Sequence, residues 1–284
     1  MEHGNILDGV LKLLNGLNND PIKRVNIIEY VQMRCAIAVF AYGSLIWNPF
    51  DCVKEIIPDC TLTGYTKGFF CQDFIYRGTR DSTGLTMGLK PCKNAFVKGY
   101  LLMSDADEIV SFIEAFIKRE TPTDVNGIMD IYTYDFLPVL MPNGHTVEWA
   151  LTCVVNCSSQ FYINTVLSIE QQAEIIGLSY GINGTNFQYL HNTLNIYRTL
   201  ALCDTFTEEM EQLYAAVLLY RQKLTKQDRH WLDMFDQLST KIERQLAIQL
   251  RETKNIRQIS RKLFSRMYSV EPTTIPKYQR MLSV

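Results

Sequence analysis

The chain has 284 residues, with 28 Lys and Arg against 30 Asp and Glu and a formal net charge of −2. Its 47% hydrophobic and 20% charged residues match a globular fold and argue against a disordered or collagen-like chain. No apolar run approaches the roughly 20 residues of a membrane-spanning helix.

The opening MEHGNILDGVLKLLNGLNND carries no basic leader and no small-residue cleavage site. It predicts an amphipathic helix rather than a secretory signal, with Ile6, Leu7, Val10, Leu11, Leu14 and Leu17 on or near one face. Asn19-Asp20-Pro21 predicts an N-cap followed by proline at the first helical position, opening a second helix to about Met33. Strands are predicted over 35–42, 61–64, 66–74, 86–89 and 96–103. Ser104-Asp105-Ala106-Asp107 resembles a capping box and predicts a helix to about Arg119. Two more strands, 130–141 and 145–156, flank a hairpin at Pro142-Asn143-Gly144, and from Ser168 the pattern is helical almost to the end. Strands interleaved irregularly with helices predict an α+β fold, a small closed or partly closed mixed β-barrel with flanking helices.

The eight cysteines form no CxxC pair; Cys153 and Cys157 are the closest two, inside a strand-like run. Set among apolar neighbours, most of them read as reduced core residues of a cytoplasmic protein. His3, His145, His191 and His230 lie far apart, so neither a metal site nor a cofactor is expected. Charge is uneven: residues 1–204 carry 14 basic against 21 acidic side chains, and 205–284 carry 14 against 9. This predicts a helical N-terminal extension over 1–34, a central domain over 35–204 and a helical C-terminal extension over 205–284.

Two stretches carry the chemistry. In CAIAVFAYGSLIWNPF, a buried-looking strand breaks at Gly43-Ser44. Glycine admits unusual backbone angles and close ligand approach, so the break reads either as a tight turn between core segments or as an anion nest of backbone N–H groups. Further on, Ile109, Phe112, Ile113 and Phe116 form a helical apolar stripe whose next position is Glu120. A carboxyl on that stripe is partly desolvated, which raises its pKa and suits it to shuttle protons near neutrality. The alternative turns Glu120 to solvent beside Lys118 and Arg119.

Taken together, these residues are similar to a known pattern. Tyr-Gly-Ser-Leu-Ile-Trp at 42–47 resembles the signature of the ChaC-like γ-glutamylcyclotransferases. Gly64-Tyr65, Tyr76-Arg77-Gly78-Thr79, Arg119-Glu120 and Gly181-Ile182-Asn183-Gly184-Thr185-Asn186-Phe187-Gln188-Tyr189-Leu190 follow in the family's order, over about residues 35–200. The resemblance implies that Glu120 is the catalytic acid/base. It implies that Ala41, Tyr42, Gly43, Ser44 and Leu45 cradle a small-molecule γ-glutamyl substrate, with Arg77 and Tyr162 as further substrate contacts. The implied reaction is cyclisation of a γ-glutamyl amide, glutathione in the first instance, to 5-oxoproline and a free amine, with no cofactor. Arg77 also suits a structural ion pair, and Ser44 has no histidine partner that would make it a nucleophile.

Three segments depart from the family. Thr121-Pro-Thr-Asp-Val-Asn-Gly-Ile-Met stands where Gly-Gly-Tyr is usual, Tyr76 replaces a histidine, and Tyr162-Ile-Asn-Thr replaces Tyr-Leu-Gly-Pro. These changes bear on the pocket wall and the substrate more than on the reaction, and they leave open a rival reading as a catalytically silent binding module. Lastly, NIRQISRKLFSRMY over 255–268 spaces Ile256, Ile259, Leu263 and Met267 helically between Arg257, Arg261, Lys262 and Arg266. Such a helix lies on an anionic membrane surface, docks on a protein partner, or packs back on the acidic domain. It is too short and too poor in aromatic residues for nucleic-acid binding.

Overall fold

The computed structural model describes residues 2–252, apart from 122, 125, 126, 129 and 239. The basic segment 255–268 lies outside the described residues. Two helices come first: α1 (Glu2–Leu11) and α2 (Pro21–Arg34), the latter opened by the Asp20 carboxylate accepting from the Lys23 N–H at 2.8 Å. Leu7, Val10, Leu11, Leu14 and Leu17 are buried as the periodicity predicts, while Ile6 stays exposed.

Five strands close the barrel. They are β1 (Ala38–Ala41), β2 (Glu55–Asp73), β3 (Gly84–Met103), β6 (Tyr132–Leu140) and β7 (Val147–Val155), in the order β1-β3-β2-β6-β7. Parallel pairing of Ala38 with Ala150 and Val39 with Leu151 joins β7 back to β1. All four β1 residues are buried, as the unbroken apolar run requires of a strand covered on both faces. The four short segments expected between 61 and 103 are in fact the two long strands β2 and β3. Their ladder survives register shifts at Ile57/Cys60, Thr63/Tyr65 and Gly68/Cys71, because a bulge bends a strand without ending it.

The remaining elements flank the barrel. Asp105 caps a 3₁₀ turn, Ala106–Glu108, which leads into α3 (Ile109–Glu120). Ser104 does not take part in the expected capping box; its hydroxyl instead accepts the Ile37 N–H at 3.0 Å. Short pairs β4 (Thr123–Asp124) with β5 (Gly127–Ile128) and β8 (Tyr180–Gly181) with β9 (Gly184–Thr185) precede and follow the last barrel strands. Helices α4 (Ile169–Leu178), α5 (Asn186–Thr199), α6 (Thr207–Lys223), α7 (Lys226–Gln237) and α8 (Lys241–Glu252) make up the rest.

One apolar core runs through the predicted segment boundaries. Leu11, Leu14, Ile27 and Val31 on one side and Met210, Leu213 and Val217 on the other are buried in the same cluster as the barrel residues. Ionic and polar contacts reinforce the N-terminal side, including Lys23–Asp135 at 2.7 Å and Asn15 O accepting from Tyr134 N at 2.7 Å. Of the cysteines, Cys60, Cys71 and Cys153 are buried but the other five are exposed, so most are not core residues; all eight are unpaired. No helix among the described residues is long and apolar enough to cross a membrane.

Candidate active site

The open end of β1 meets the end of α3 at a cavity of about 150 Å³. The chain turns at Gly43 into a 3₁₀ helix, Ser44–Ile46, and the whole stretch Ala41, Tyr42, Gly43, Ser44, Leu45 lines the cavity. The first N–H groups of a helix have no intrahelical acceptor, so this turn presents donors where the strand stops. Gly43 has a φ of −117°, so the need for glycine there is spatial. A Cβ at this position would stand 3.0 Å from the Tyr189 hydroxyl.

Glu120 enters from the opposite element. It is the last residue of α3, whose Phe112, Ile113 and Phe116 are buried, and the helical period carries its carboxyl inward to line the same cavity. The solvent-facing alternative is not the one adopted: the side chain is 18% exposed. Burial pushes the Glu120 carboxyl above the usual carboxylate range, and Arg119, with Nε 3.7 Å from Oε1, offsets part of that rise. Arg119 also reaches Ser44 Oγ and the Asn48 carbonyl, each at 3.4 Å, tying the helix end to the loop.

Phenols surround the carboxyl. Tyr42 donates to the Cys153 carbonyl at 3.0 Å, Tyr132 to the Met87 carbonyl at 2.9 Å, and Tyr189 accepts the Met87 N–H at 3.4 Å. Burial drives all three hydroxyls well above the ordinary phenol range, so they remain neutral donors or acceptors. Such groups can orient a substrate without adding charge beside Glu120.

The loop after β2 supplies the third side. Asp73 Oδ1 accepts the N–H groups of Ile75 and Tyr76 at 2.8 and 2.7 Å, an Asx-type turn that aims Tyr76 and Arg77 at the cavity. Gly78 lets the loop close: a Cβ there would lie 2.0 Å from the Asp73 carbonyl oxygen. Arg77 Nη1 donates to the Thr185 carbonyl at 3.2 Å and to Gln188 Oε1 at 3.3 Å, and its guanidinium lies 5.5 Å from the Trp47 and Tyr189 rings. Burial lowers the Arg77 pKa to about 10, which still leaves it charged.

The structure therefore gathers Ala41, Tyr42, Gly43, Ser44, Leu45, Arg77 and Glu120 around one cavity. Tyr162 is the exception and does not line it. Its ring packs with Phe161 against Cys71, Ile131 and Val155, because residues 161–163 pair with β2: Gln72 N donates to the Phe161 carbonyl and Ile163 N to the Phe70 carbonyl, both at 2.9 Å. Asp73, Tyr76 and Tyr132 also line the cavity and are not among the site residues that the sequence marks. An aspartate opening a turn at DFIYRGT is the local signal for the first, and nothing local marks Tyr132. Lys241, from the C-terminal extension, also lines the cavity.

A five-stranded barrel with a half-buried carboxyl facing the broken end of its first strand defines the class: an α+β barrel with a candidate acid–base site. A solved structure of a yeast γ-glutamyl cyclotransferase specific to glutathione shares that fold, with a TM-score of 0.56 at 18% identity, over 66% of this chain and 98% of the yeast protein. The family model for ChaC-like proteins matches residues 37–220. The chain belongs to the ChaC-like family. Among curated relatives it is 30% identical over 172 residues to the glutathione-specific γ-glutamylcyclotransferase of Schizosaccharomyces pombe, covering 57% of this chain and 83% of that one. It is 27% identical over 155 residues to γ-glutamylcyclotransferase 2-1 of Arabidopsis thaliana, covering 54% of this chain and 69% of the plant protein. The chain is a member of an enzyme family whose named relatives are γ-glutamylcyclotransferases.

Proposed function

We propose that this protein cyclises glutathione, releasing 5-oxoproline and Cys-Gly. The observation that carries the reading is the carboxyl of Glu120, desolvated and set in the same cavity as the 41–45 turn. In a γ-glutamyl amide the nucleophile is already part of the substrate. The α-nitrogen attacks the γ-carbonyl carbon and closes a five-membered ring, so the protein has only to fold the substrate and manage protons. The α-ammonium first gives up one proton to solvent, and the neutral amine attacks; Glu120 takes the second proton, which that nitrogen sheds as the N–C bond forms. It returns that proton to the departing amide nitrogen as the old C–N bond breaks, so no water is consumed. Donors of the 41–45 turn stabilise the oxyanion of the tetrahedral intermediate, a contribution of about 3 kcal/mol per donor. Neutral phenols of Tyr42, Tyr132 and Tyr189 line the space in which the glutamyl moiety folds.

Incubation of the full chain with glutathione, followed by mass spectrometry, is expected to give 5-oxoproline and Cys-Gly in equal amounts. Free glutamate in place of 5-oxoproline would put water in the role of nucleophile and sink the cyclisation mechanism. Saturable glutathione binding with neither product would show a silent binding module instead.

Replacing Gly43 with Val probes the turn. The added Cβ meets Tyr189 Oη at 3.0 Å and the γ-methyls extend further, so the hydroxyl must leave the Met87 N–H or the turn must shift. Overpacking of this kind costs about 1–3 kcal/mol. Glutathione is expected to stabilise the wild type in a thermal-shift assay and to lose that effect in Gly43→Val. Undiminished stabilisation would place the ligand away from the turn.

A further inference from the structure

Helices α7 and α8 lie beyond the family match, which ends at residue 220, yet the first residue of α8 lines the site cavity. That residue is Lys241, and its neighbours are held on both sides. Thr240 Oγ1 accepts the Glu243 N–H at 3.1 Å, Glu243 Oε2 accepts the Thr240 N–H at 3.0 Å, and Arg244 Nη2 donates to the Leu238 carbonyl at 2.7 Å. Behind them, Leu232, Phe235, Leu238, Ala247 and Ile248 bury themselves around Tyr180 in a core of their own. Asp236 accepts from the Thr185 hydroxyl at 2.7 Å.

Tyr180 and Thr185 belong to the β8–β9 hairpin, and this links the extension to the chemistry. In the hairpin turn, Ile182 N donates to the Ile75 carbonyl and Asn183 N to the Tyr76 carbonyl, both at 2.9 Å. The extension thus clamps a hairpin that is stitched to the loop carrying Asp73, Tyr76 and Arg77. Through that clamp, Asn183 and Lys241 form part of the cavity wall.

The cations of the cavity differ in how they are engaged. Arg77 is held by Thr185 and Gln188, and Arg119 by Glu120, Ser44 and Asn48. Lys118 and Lys241 are exposed, and among the described residues no ion pair engages either; of the two, Lys241 comes from the segment outside the family match. If the substrate is a γ-glutamyl peptide, as the proposed function holds, it brings two carboxylates. The glutamyl α-carboxylate lies next to the reacting centre. The other ends the leaving group and extends outward from the scissile bond, toward the solvent side where Lys241 stands. A simple γ-glutamyl amide has only the first.

We propose that Lys241 is a specificity-determining residue that binds the leaving-group carboxylate, making this chain selective for γ-glutamyl peptides over γ-glutamyl amides without a terminal carboxylate. The inference rests on the cyclotransferase reading but concerns a segment outside the family match. Its test compares glutathione with its C-terminal carboxamide, which keeps the size and removes the charge. A charge-assisted hydrogen bond near solvent accounts for about a 10-fold preference, so wild-type kcat/KM for glutathione is expected to exceed that for the carboxamide by about that factor. The preference should shrink as ionic strength rises. Lys241→Gln is expected to lose the preference by raising KM for glutathione with kcat little changed, leaving the carboxamide rate as it was. Lys241→Arg should restore most of it.

Equal losses on both substrates, or none on either, would overturn the assignment of Lys241. So would a preference abolished by Lys118→Gln, the other exposed lysine of the cavity, and untouched by Lys241→Gln. Failure of the wild type to form 5-oxoproline from either substrate would instead overturn the cyclotransferase reading itself.

Discussion

Glu120→Gln is expected to lower kcat for glutathione cyclisation by about 10²–10⁴-fold, the usual worth of a positioned general acid–base group. Glutamine keeps the size and a hydrogen-bonding end but cannot accept the proton that the attacking amine sheds. KM should change little, since the 41–45 turn and Arg77 are untouched. The wild type should lose activity on the acid side with an apparent pKa above that of an ordinary glutamate, because burial raises the Glu120 pKa and activity requires its ionised form. Residual activity of the Gln variant should lack that acid limb. A variant retaining more than about a tenth of wild-type kcat would remove Glu120 from the proton path, on the same scale.

Stability provides the control. A carboxyl whose folded-state pKa lies above its unfolded value binds protons more tightly when folded. Stability therefore falls as pH rises from the unfolded pKa through the folded one, and above both the ionised group is a net cost. Removing the charge should leave Tm at neutral pH unchanged or raised. A large drop in Tm would mean that the loss of activity came from the fold.

Local chemistry made much of this legible. Asp20 before Pro21 marked a helix start, and the spacing of Phe112, Ile113, Phe116 and Glu120 put a carboxyl on a buried stripe, since a helix repeats its faces regardless of what packs on it. What local pattern could not convey was continuation and convergence. Residues 90–95, KPCKNA, look like a break between strands, but Lys90 and Pro91 still pair with Thr66 and Tyr65, and 92–95 form a bulge before Phe96 pairs with Thr63, so β3 continues across them. Tyr132 reaches the cavity because β6 pairs with β7 in one register, and Lys241 because a hairpin some 60 residues earlier is clamped by α7 and α8. Tyr162 fitted the resemblance, but the pairing of 161–163 with β2 sends its ring to another cluster. Composition shifted near residue 204, yet the apolar core continues across that point, because net charge reports on the surface and Met210, Leu213 and Val217 on the interior.

Asp204, at that charge boundary, is where the fold is expected to be most sensitive. Its carboxylate is fully buried, 2.8 Å from the equally buried Lys67 Nζ of β2. Lys67 in turn lies 3.5 Å from the centre of the Tyr197 ring. Burial lowers the Lys67 pKa to about 8 even against the pull of Asp204. Asp204 does more than neutralise: Oδ2 also accepts the Lys98 N–H at 3.0 Å, and Oδ1 accepts from Phe206 N at 3.1 Å and the Thr207 hydroxyl at 3.0 Å. One carboxylate thus joins β2, β3 and the start of α6. Asp204→Ala strands a buried ammonium and two backbone N–H groups together, and breaking a buried ion pair from one side costs about 3–5 kcal/mol. Lys67→Met should cost less, since the carboxylate keeps its other donors and the methionine fills the space. The double variant should recover only part of the Asp204→Ala loss, because Lys98 and Phe206 remain without their acceptor. Chemical denaturation of the three variants would check this order. If Asp204→Ala costs less than about 1 kcal/mol, the magnitude of an exposed pair, the residue does not hold the C-terminal helices to the barrel.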